Sequence, residues 1–530
     1  MRAIDYFDKS ADLHPDRIAI IDGDRRYSYG ETRSFSERIA RGLWASGLQR
    51  EQRVAIFSHN HPAVLFCMLG MLRAGAAWVP INFRNAADAN VEFLNYSETS
   101  WLFYHSRFQE QVDDIRKRVP CMRHFIRIDG PADDHNSLAA FIERDSEVAA
   151  PEWADEYGNV EQLMGLVPTG GTTGPARGVR VTNLAWGTMT ELAMRYWNCN
   201  SNSDDRDPVC LCTAPLSHAA GTVAFTIFAM GGTNVVLPGF EAGQVLQAIE
   251  QHRATHMFLP PTAFYSMLAH PDVGKFDYSS MRVFLLAGSP VSPDKLKEGV
   301  EVFGPCMCQS YGQTEAPMIL TFLDARTVEA AASGNRPERL RSCGRPTAAV
   351  RVAIMDDDGR ILPPHQPGEI VARGTLVSGG YFNLPEATAA IRRYGWHHTG
   401  DVGYIDEDGY VYIVDRKKDM IISGGFNVYC AEVEAGIMAL PQVQECAVIG
   451  VPDDKWGEAV KAIVVCREVC RGDDLLTEAE VIAHCKAKLG SVKSPKSVEF
   501  WPEIPKTPAG KLDRKAMRKP YWATADREVH

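Results

Sequence analysis

At 530 residues the chain is longer than one hydrophobic core ordinarily serves, so two or more domains are expected. Hydrophobic residues at 45%, charged residues at 23% and aromatics at 9% are ordinary globular values, which exclude a disordered or collagen-like chain. A formal net charge of −11 without any long Lys or Arg run argues against nucleic acid as a partner and favours a charged small molecule.

The acidity is confined to residues 1–415, and the remainder is close to neutral. The opening MRAIDYFDKSADLHPDR carries four acidic groups and no apolar core, so no secretory leader is expected. The longest apolar run, AVLFCMLGML at 63–72, stops at Arg73 and is too short to span a bilayer. No integral membrane segment and a cytoplasmic location are therefore expected. The thirteen cysteines are scattered without a CxxC pair, which reads as reduced core thiols rather than disulfides or zinc.

Strand-like and helix-like segments alternate from about His14 to His270. RIAIID at 17–22 precedes a helical SFSERIARGLWASG at 34–47; RVAIFS at 53–58 precedes the helical 63–74 run; AAWVPIN follows at 76–82. This order predicts layered α/β structure with largely buried parallel strands. LMGLV at 163–167 and GVRVT at 178–182 read as strands, after which Asn183 can cap the helix LAWGTMTELAMRYW. VCLCTAP, TNVVLP, THMFLPPT and MRVFLLAGSP are apolar runs closed by small residues or proline, and such strand ends are where α/β folds place ligands.

From Val350 the texture becomes β-rich. VRVAIM, GEIVARG and GYIDEDGYVYIVDR are strands, with DDDG and DEDG as hairpin turns. A second α/β pattern begins after the charged DRKKD: helix AEVEAGIMAL, strands ECAVIGV and AVKAIVVC, helix TEAEVIAHCKAKLG. The expected fold class is α/β, with an N-terminal domain over 1–415 of layered α/β subdomains plus a β-rich subdomain, and a small α+β domain over 416–530.

The segment VPTGGTTGPARGV, Val167–Val179, concentrates Gly, Thr and one Arg between two strands. Glycines let backbone N–H groups approach an anion, threonine hydroxyls add donors, and Arg177 adds a charged one. The GxxxxGK[ST] spacing and following helix of a P-loop are absent, as is GxGxxG. From these residues alone the loop is either a phosphate cradle or a surface turn.

Eight motifs in order resemble the acyl-adenylate-forming superfamily of acyl-CoA synthetases, luciferases and nonribosomal adenylation domains. They are PTGGTTGPARGV at 168–179, PLSHAAG at 215–221, AGSPV at 287–291, QSYGQTE at 309–315, GEIVARG at 368–374, HTGDVG at 398–403, DRKKDMIISGGFNVY at 415–429 and PKTPAGKLDR at 505–514. The resemblance implies an acid–thiol ligase: a carboxylate attacks the α-phosphate of ATP, pyrophosphate leaves, and a thiol, usually that of CoA, displaces AMP. No protein nucleophile is needed, so positioning and charge stabilisation are the protein's tasks.

By the same resemblance, Thr169, Gly170, Gly171, Thr172, Thr173, Gly174 and Arg177 grip the ATP phosphates. Glu315 is the Mg2+ ligand and Thr314 donates to the α-phosphate. Tyr311 faces adenine, with Gln309 and the Gly288-Ser289 backbone at its edge, and Gly312 lies between the nucleotide and acyl ends. Asp401 takes both ribose hydroxyls, and Arg416 makes a second ribose or phosphate contact. Lys511 leans between the attacking carboxylate and the α-phosphate. Lys418 aligns with a hinge about which the small domain turns after adenylation, exposing a face where Gly424 and Gly425 leave room for pantetheine and Trp456 stacks the CoA adenine.

His218 stands at the edge of the acyl pocket, either gating it or orienting the carboxylate, or serving as a structural strand-end histidine. Ala219, Ala220 and Ala224 imply a roomy apolar pocket. A medium- or long-chain fatty acid is the leading expectation and an aromatic or cinnamate-type acid the next. A carrier-protein-loading enzyme or an inactive acyl- or nucleotide-binding relative is the alternative. No carrier domain is expected after Lys511, and a homodimer is the ordinary expectation for assembly. Departures from the family pattern are Arg177 for lysine, the inverted Pro175-Ala176 pair, Gly170 for serine, Pro168 for tyrosine, and Cys430 where proline is common after NVY.

Overall fold

The computed structural model describes residues 1–131, 133–143, 148–155, 159–169, 176–198, 207–453, 455–467, 476–507 and 512–522. The chain divides into two compact units. The first is built from Met1–Gly170, Pro175–Val352 and Ala372–His397, and the second includes Ala353–Val371 and His398–His530.

Two large sheets organise the first unit. In the six-stranded sheet the order is His124–Arg127, Trp101–Tyr104, Arg53–Phe57, Ala77–Pro80, Leu163–Pro168, Gly178–Thr182. All neighbours are parallel except the final hairpin. Trp101–Tyr104 and Ala77–Pro80 are buried at every position, as parallel strands covered on both faces must be. The apolar run at 63–72 is a core helix, Pro62–Arg73, started by proline at its first turn and buried from Pro62 to Leu72. Among the described residues no helix is long and apolar enough to cross a membrane.

The nine-stranded sheet has a parallel centre in the order Met307–Gln313, Val283–Leu286, His256–Leu259, Val209–Cys212, Thr233–Val236, Ile18–Asp22, flanked by antiparallel strands. Parallel strands all end on one side, so the segments after Cys212 and Leu286, carrying PLSHAAG and AGSPV, emerge along the same edge. This edge is where the sheet positions the candidate site. Cys67, Cys210, Cys212 and Cys306 are buried and outside any disulfide, in keeping with their apolar strand and helix settings.

In the second unit the sheet order is Phe426–Val428, Ile421–Ser423, Gly457–Cys466, Val443–Asp453, with Ser497–Phe500 on the Gly457–Cys466 strand. Along Val443–Asp453 the side chains alternate. Cys446 and Val448 join the core that includes Val433 and Val481, from the helices Cys430–Met438 and Glu478–Lys493, while Ala447, Ile449 and Val451 join one that includes Met517 of the helix Arg514–Trp522. The expected DDDG and DEDG turns both form. Gly359 and Gly409 adopt φ of +85° and +81°, and Asp356 and Asp406 N–H groups close the turns on Arg360 and Tyr410, each at 3.0 Å.

Helix starts differ from expectation. The first long helix runs Tyr29–Ala45 rather than beginning at Ser34, because Ser28 and Glu31 form a reciprocal capping box. The helix Asn183–Asn198 is capped by Thr182, whose Oγ1 accepts the Ala185 N–H at 3.3 Å. The Asn183 side chain is instead engaged by the Ala3 N–H at 3.0 Å.

Candidate active site

The glycine-threonine segment leaves the strand Leu163–Pro168 and returns on Gly178–Thr182, and the Thr169 N–H donates to the Arg177 carbonyl at 2.8 Å. The two flanking strands read from the sequence are therefore present, paired antiparallel. Gly170, Gly171, Thr172, Thr173 and Gly174 lie outside the described residues, as does Lys511. Residues 378–382 pair with the returning strand: Arg180 N–H donates to the Gly380 carbonyl and Phe382 N–H to the Gly178 carbonyl, each at 2.8 Å. The same segment reaches the turn after Met307–Gln313, with Ser378 N–H donating to the Glu315 carbonyl at 2.8 Å.

This pairing delivers Tyr381, which sequence reasoning did not single out. Its hydroxyl donates to Glu315 Oε1 at 2.6 Å, and the Arg177 guanidinium lies 5.4 Å from the centre of its ring. Burial, followed by the Glu315 charge, pushes the phenol well above its ordinary pKa, so it stays a donor. Arg177 and Glu315, 138 positions apart in sequence, thus share one intervening side chain. The local signal was SGGY: Gly379 lies close against Arg180 of the neighbouring strand, and Gly380 has left-handed backbone, φ +89°, beside Thr388.

Glu315 is itself buried, at 8% exposure, and its second carboxylate oxygen takes no protein donor among the described residues. A hard cation needs such an oxygen, so the residue fits the expected Mg2+; Thr314 beside it is half-buried in the two-residue turn. Among the described residues no group of three or more metal-ligating side chains forms.

Gln309 pairs with Leu286 across the parallel strands, and Gly288 and Ser289 follow Leu286 after Ala287. Among the described residues the Gln309 Nε2 is buried without a hydrogen-bond partner. Gly288 adopts φ of +94° with open space around an added Cβ, so conformation rather than crowding calls for glycine there. Tyr311 is 9% exposed on the same strand as Gln309. Gly312 is crowded: an added Cβ would stand 2.7 Å from the Met318 backbone.

His218 is not at a strand end. It is the residue before the helix Ala219–Ala229, and its Nδ1 lies 2.9 Å from Ser217 Oγ. Burial holds its pKa down to about 4, so the ring is neutral at pH 7. Ala219 is exposed, Ala220 is 5% exposed and Ala224 is fully buried, its carbonyl accepting Asn234 Nδ2 at 3.0 Å.

In the second unit Asp401 and Arg416 are cross-strand partners on the hairpin Trp396–Ile405/Val411–Arg416, with Nε of Arg416 3.3 Å from the Asp401 carboxylate. Burial and then Arg416 push the Lys418 pKa down. Gly424 and Gly425 form the turn between Ile421–Ser423 and Phe426–Val428, with φ of +59° and +81°. Trp456 packs on this turn: its carbonyl accepts the Gly424 N–H at 2.8 Å, and an added Cβ on Gly424 would stand 2.6 Å from its ring. Its indole is 40% exposed, with Lys455 Nζ 4.7 Å from the ring centre. Cys430 opens the helix Cys430–Met438, a position whose N–H has no helical acceptor and where proline is equally at home.

Residues 7–382 match the AMP-binding enzyme family, and residues 432–511 match the AMP-binding enzyme C-terminal domain. The chain belongs to the AMP-binding enzyme family. This AMP-binding enzyme is an acyl-adenylate-forming protein of the acyl-CoA synthetase type. It is 35% identical over 525 residues to a medium/long-chain fatty acid–CoA ligase, FadD8, of Mycobacterium tuberculosis, covering 97% of this chain and 89% of that one. It is 36% identical over 523 residues to a feruloyl-CoA synthase of an Amycolatopsis species, covering 97% and 98%. Among solved structures, ATP-bound MatB from Rhodopseudomonas palustris matches with a TM-score of 0.86 at 28% identity over 98% of this chain and 99% of that one. The layered α/β N-terminal part and small α+β C-terminal part are thus the architecture of the AMP-binding enzyme family.

Proposed function

We propose that the AMP-binding enzyme couples ATP cleavage to thioester formation on a medium- or long-chain fatty acid, through an acyl-adenylate passed to CoA. The orphaned Gln309 donor beside Tyr311 and Gly288 is the observation that carries the nucleotide assignment, since a buried amide without a partner suits the edge of a base. Glu315 holds Mg2+, which supplies charge neutralisation at the phosphates when bound. Thr169–Gly174 and Arg177 grip the phosphates, Thr314 donates to the α-phosphate, and Asp401 with Arg416 takes the ribose. Lys511 offsets the charge that builds as the carboxylate attacks, and rotation at Lys418 withdraws it for the thioester step. Gly424, Gly425 and Trp456 receive CoA.

Neutral His218 borders the acid without adding a charge that would compete for its carboxylate. With Ala219, Ala220, Ala224 and Gly312 it outlines the acyl end, and small side chains there suit an apolar acid. Similarity to the fatty acid–CoA ligase supports a fatty chain; similarity at 36% identity to the feruloyl-CoA synthase supports an aromatic propenoic acid as the second reading. A panel of fatty and cinnamate-type acids, scored by pyrophosphate release with ATP alone, separates them. Turnover confined to cinnamate-type acids would reject the fatty-acid reading, and AMP formation without thioester when CoA is added would reject the ligase.

A further inference from the structure

The role proposed for Asp401 raises the question of what aims it. Gly400, the residue before it on the strand Trp396–Ile405, sits at φ of +72° with nothing near an added Cβ, so the backbone kinks there and hydrogen bonds hold the kink. Three of these close a ring around a single buried carboxylate. Glu369, 7% exposed, accepts the Gly400 N–H on Oε1 at 3.1 Å; the Gly400 carbonyl accepts the Lys417 N–H at 2.9 Å; and Lys417 Nζ returns to Glu369 Oε2 at 3.1 Å. The His398 Nδ1 lies 3.0 Å from the same Oε2, and Lys417 is pinned outward by Asp357 at 2.6 Å. The following residue is bound in turn, Asp401 N–H donating to Thr399 Oγ1 at 3.1 Å and Thr399 Oγ1 donating to the Ile370 carbonyl at 2.7 Å.

Glu369 and Ile370 are adjacent on one strand, so both tethers of the HTGD segment run to the same place. The ring also spans the hairpin, because Lys417 follows Arg416, the cross-strand partner of Asp401. Two groups that would meet a ribose from opposite strands are therefore referenced to one carboxylate. A backbone N–H, an ammonium and a ring nitrogen together satisfy this buried carboxylate, so its position is fixed from three sides.

We infer that Glu369 is a positioning residue for nucleotide binding: with Lys417 it locks the strand kink at Gly400 so that Asp401 and Arg416 present a preformed grip to the ribose hydroxyls. The inference rests on the reading of Asp401 as the ribose acceptor. Burial opposes the Glu369 charge, but His398 and Lys417 outweigh it and hold the carboxyl below its ordinary pKa, so the ring is charged at neutral pH.

The test is calorimetric titration of the full-length enzyme, without acid, by ATP and by 2′,3′-dideoxy-ATP, which lacks both hydroxyls. The native protein should prefer ATP. Glu369→Gln should weaken ATP by about tenfold, the loss of one charge-assisted contact, while leaving the dideoxy nucleotide unchanged. Lys417→Met, a change at a half-exposed side chain, should reduce the same preference by about threefold and decides the matter where Glu369→Gln fails to fold. Equal weakening of both nucleotides, or an unchanged preference in Lys417→Met, overturns the inference. Asp401→Ala separates the layers. If it abolishes the preference while Glu369→Gln and Lys417→Met retain it, only the positioning role falls; if it leaves the preference intact, the ribose reading fails and the inference with it.

Discussion

Gly424→Ala is the substitution for which the structure supplies its own control. Both Gly424 and Gly425 have left-handed backbone, so alanine at either carries a conformational cost of about 1 kcal/mol. Only at Gly424 does the new methyl meet a neighbour, 2.6 Å from Trp456 Cε3 and 3.0 Å from Cζ3, well inside contact distance; at Gly425 nothing lies within 4 Å. Trp456 is 40% exposed and can be pushed outward, so the clash resolves by displacing the indole rather than by unfolding. Gly424→Ala and Gly425→Ala should therefore melt within a few tenths of a kcal/mol of one another. They should differ in the CoA-dependent half-reaction, where KM for CoA rises about tenfold more in Gly424→Ala because the stacking face has moved. Rapid-quench measurement of thioester formation from supplied acyl-AMP, beside acid-dependent pyrophosphate exchange, reads the two halves separately. Loss of pyrophosphate exchange equal to the loss of thioester formation would refute a role for this face in the second half-reaction alone.

Lys511→Ala should abolish acid-dependent pyrophosphate release yet largely spare thioester formation from supplied acyl-AMP, and equal loss of both would refute the assigned role. Lys418→Pro should slow mainly the thioester step by stiffening the turn, which single-turnover rates of each half will check. Tyr381→Phe removes the donor to Glu315 and should raise the Mg2+ concentration needed for half-maximal pyrophosphate exchange several-fold, with little change in the melting temperature; an unchanged Mg2+ requirement counts against the contact. Fully buried His256 has its pKa lowered to about 3 by burial and then Arg282, so the unfolded chain takes up a proton there at a higher pH than the folded one. Its contribution to stability is present above about pH 6.5 and falls on acidification, by about 2 kcal/mol at pH 5. Urea unfolding at pH 7 and pH 5 should show this loss, and His256→Asn should flatten it.

The parts of the fold carried by local pattern were legible. The strands on either side of VPTGGTTGPARGV, the DDDG and DEDG turns and the buried 63–72 helix follow from periodicity and turn chemistry over a few residues. The Ser28–Glu31 capping box was legible too, as S-x-x-E just before an amphipathic run, although the helix was read as starting later. Thr182 and Asn183 are both good caps by type, and the choice between them was made by the distant Ala3 N–H. The candidate site residues proposed from the sequence are those tied to motifs. Those that act across the chain were not legible there: Tyr381 reaches Glu315 over 66 positions, and Glu369 reaches Lys417 over 48. Such contacts are decided by strand pairing between segments far apart in sequence, and no local spacing encodes them.

On the proposed function, one chain both forms an acyl-adenylate and converts it to a CoA thioester. Incubating the enzyme with ATP, Mg2+, CoA and a medium-chain fatty acid, with quantitation of pyrophosphate, AMP and acyl-CoA, tests this most directly. Pyrophosphate, AMP and acyl-CoA should form in equal amounts, each dependent on the acid, with acyl-AMP accumulating when CoA is left out. Acid-independent pyrophosphate, or AMP formed without acyl-CoA, would contradict it.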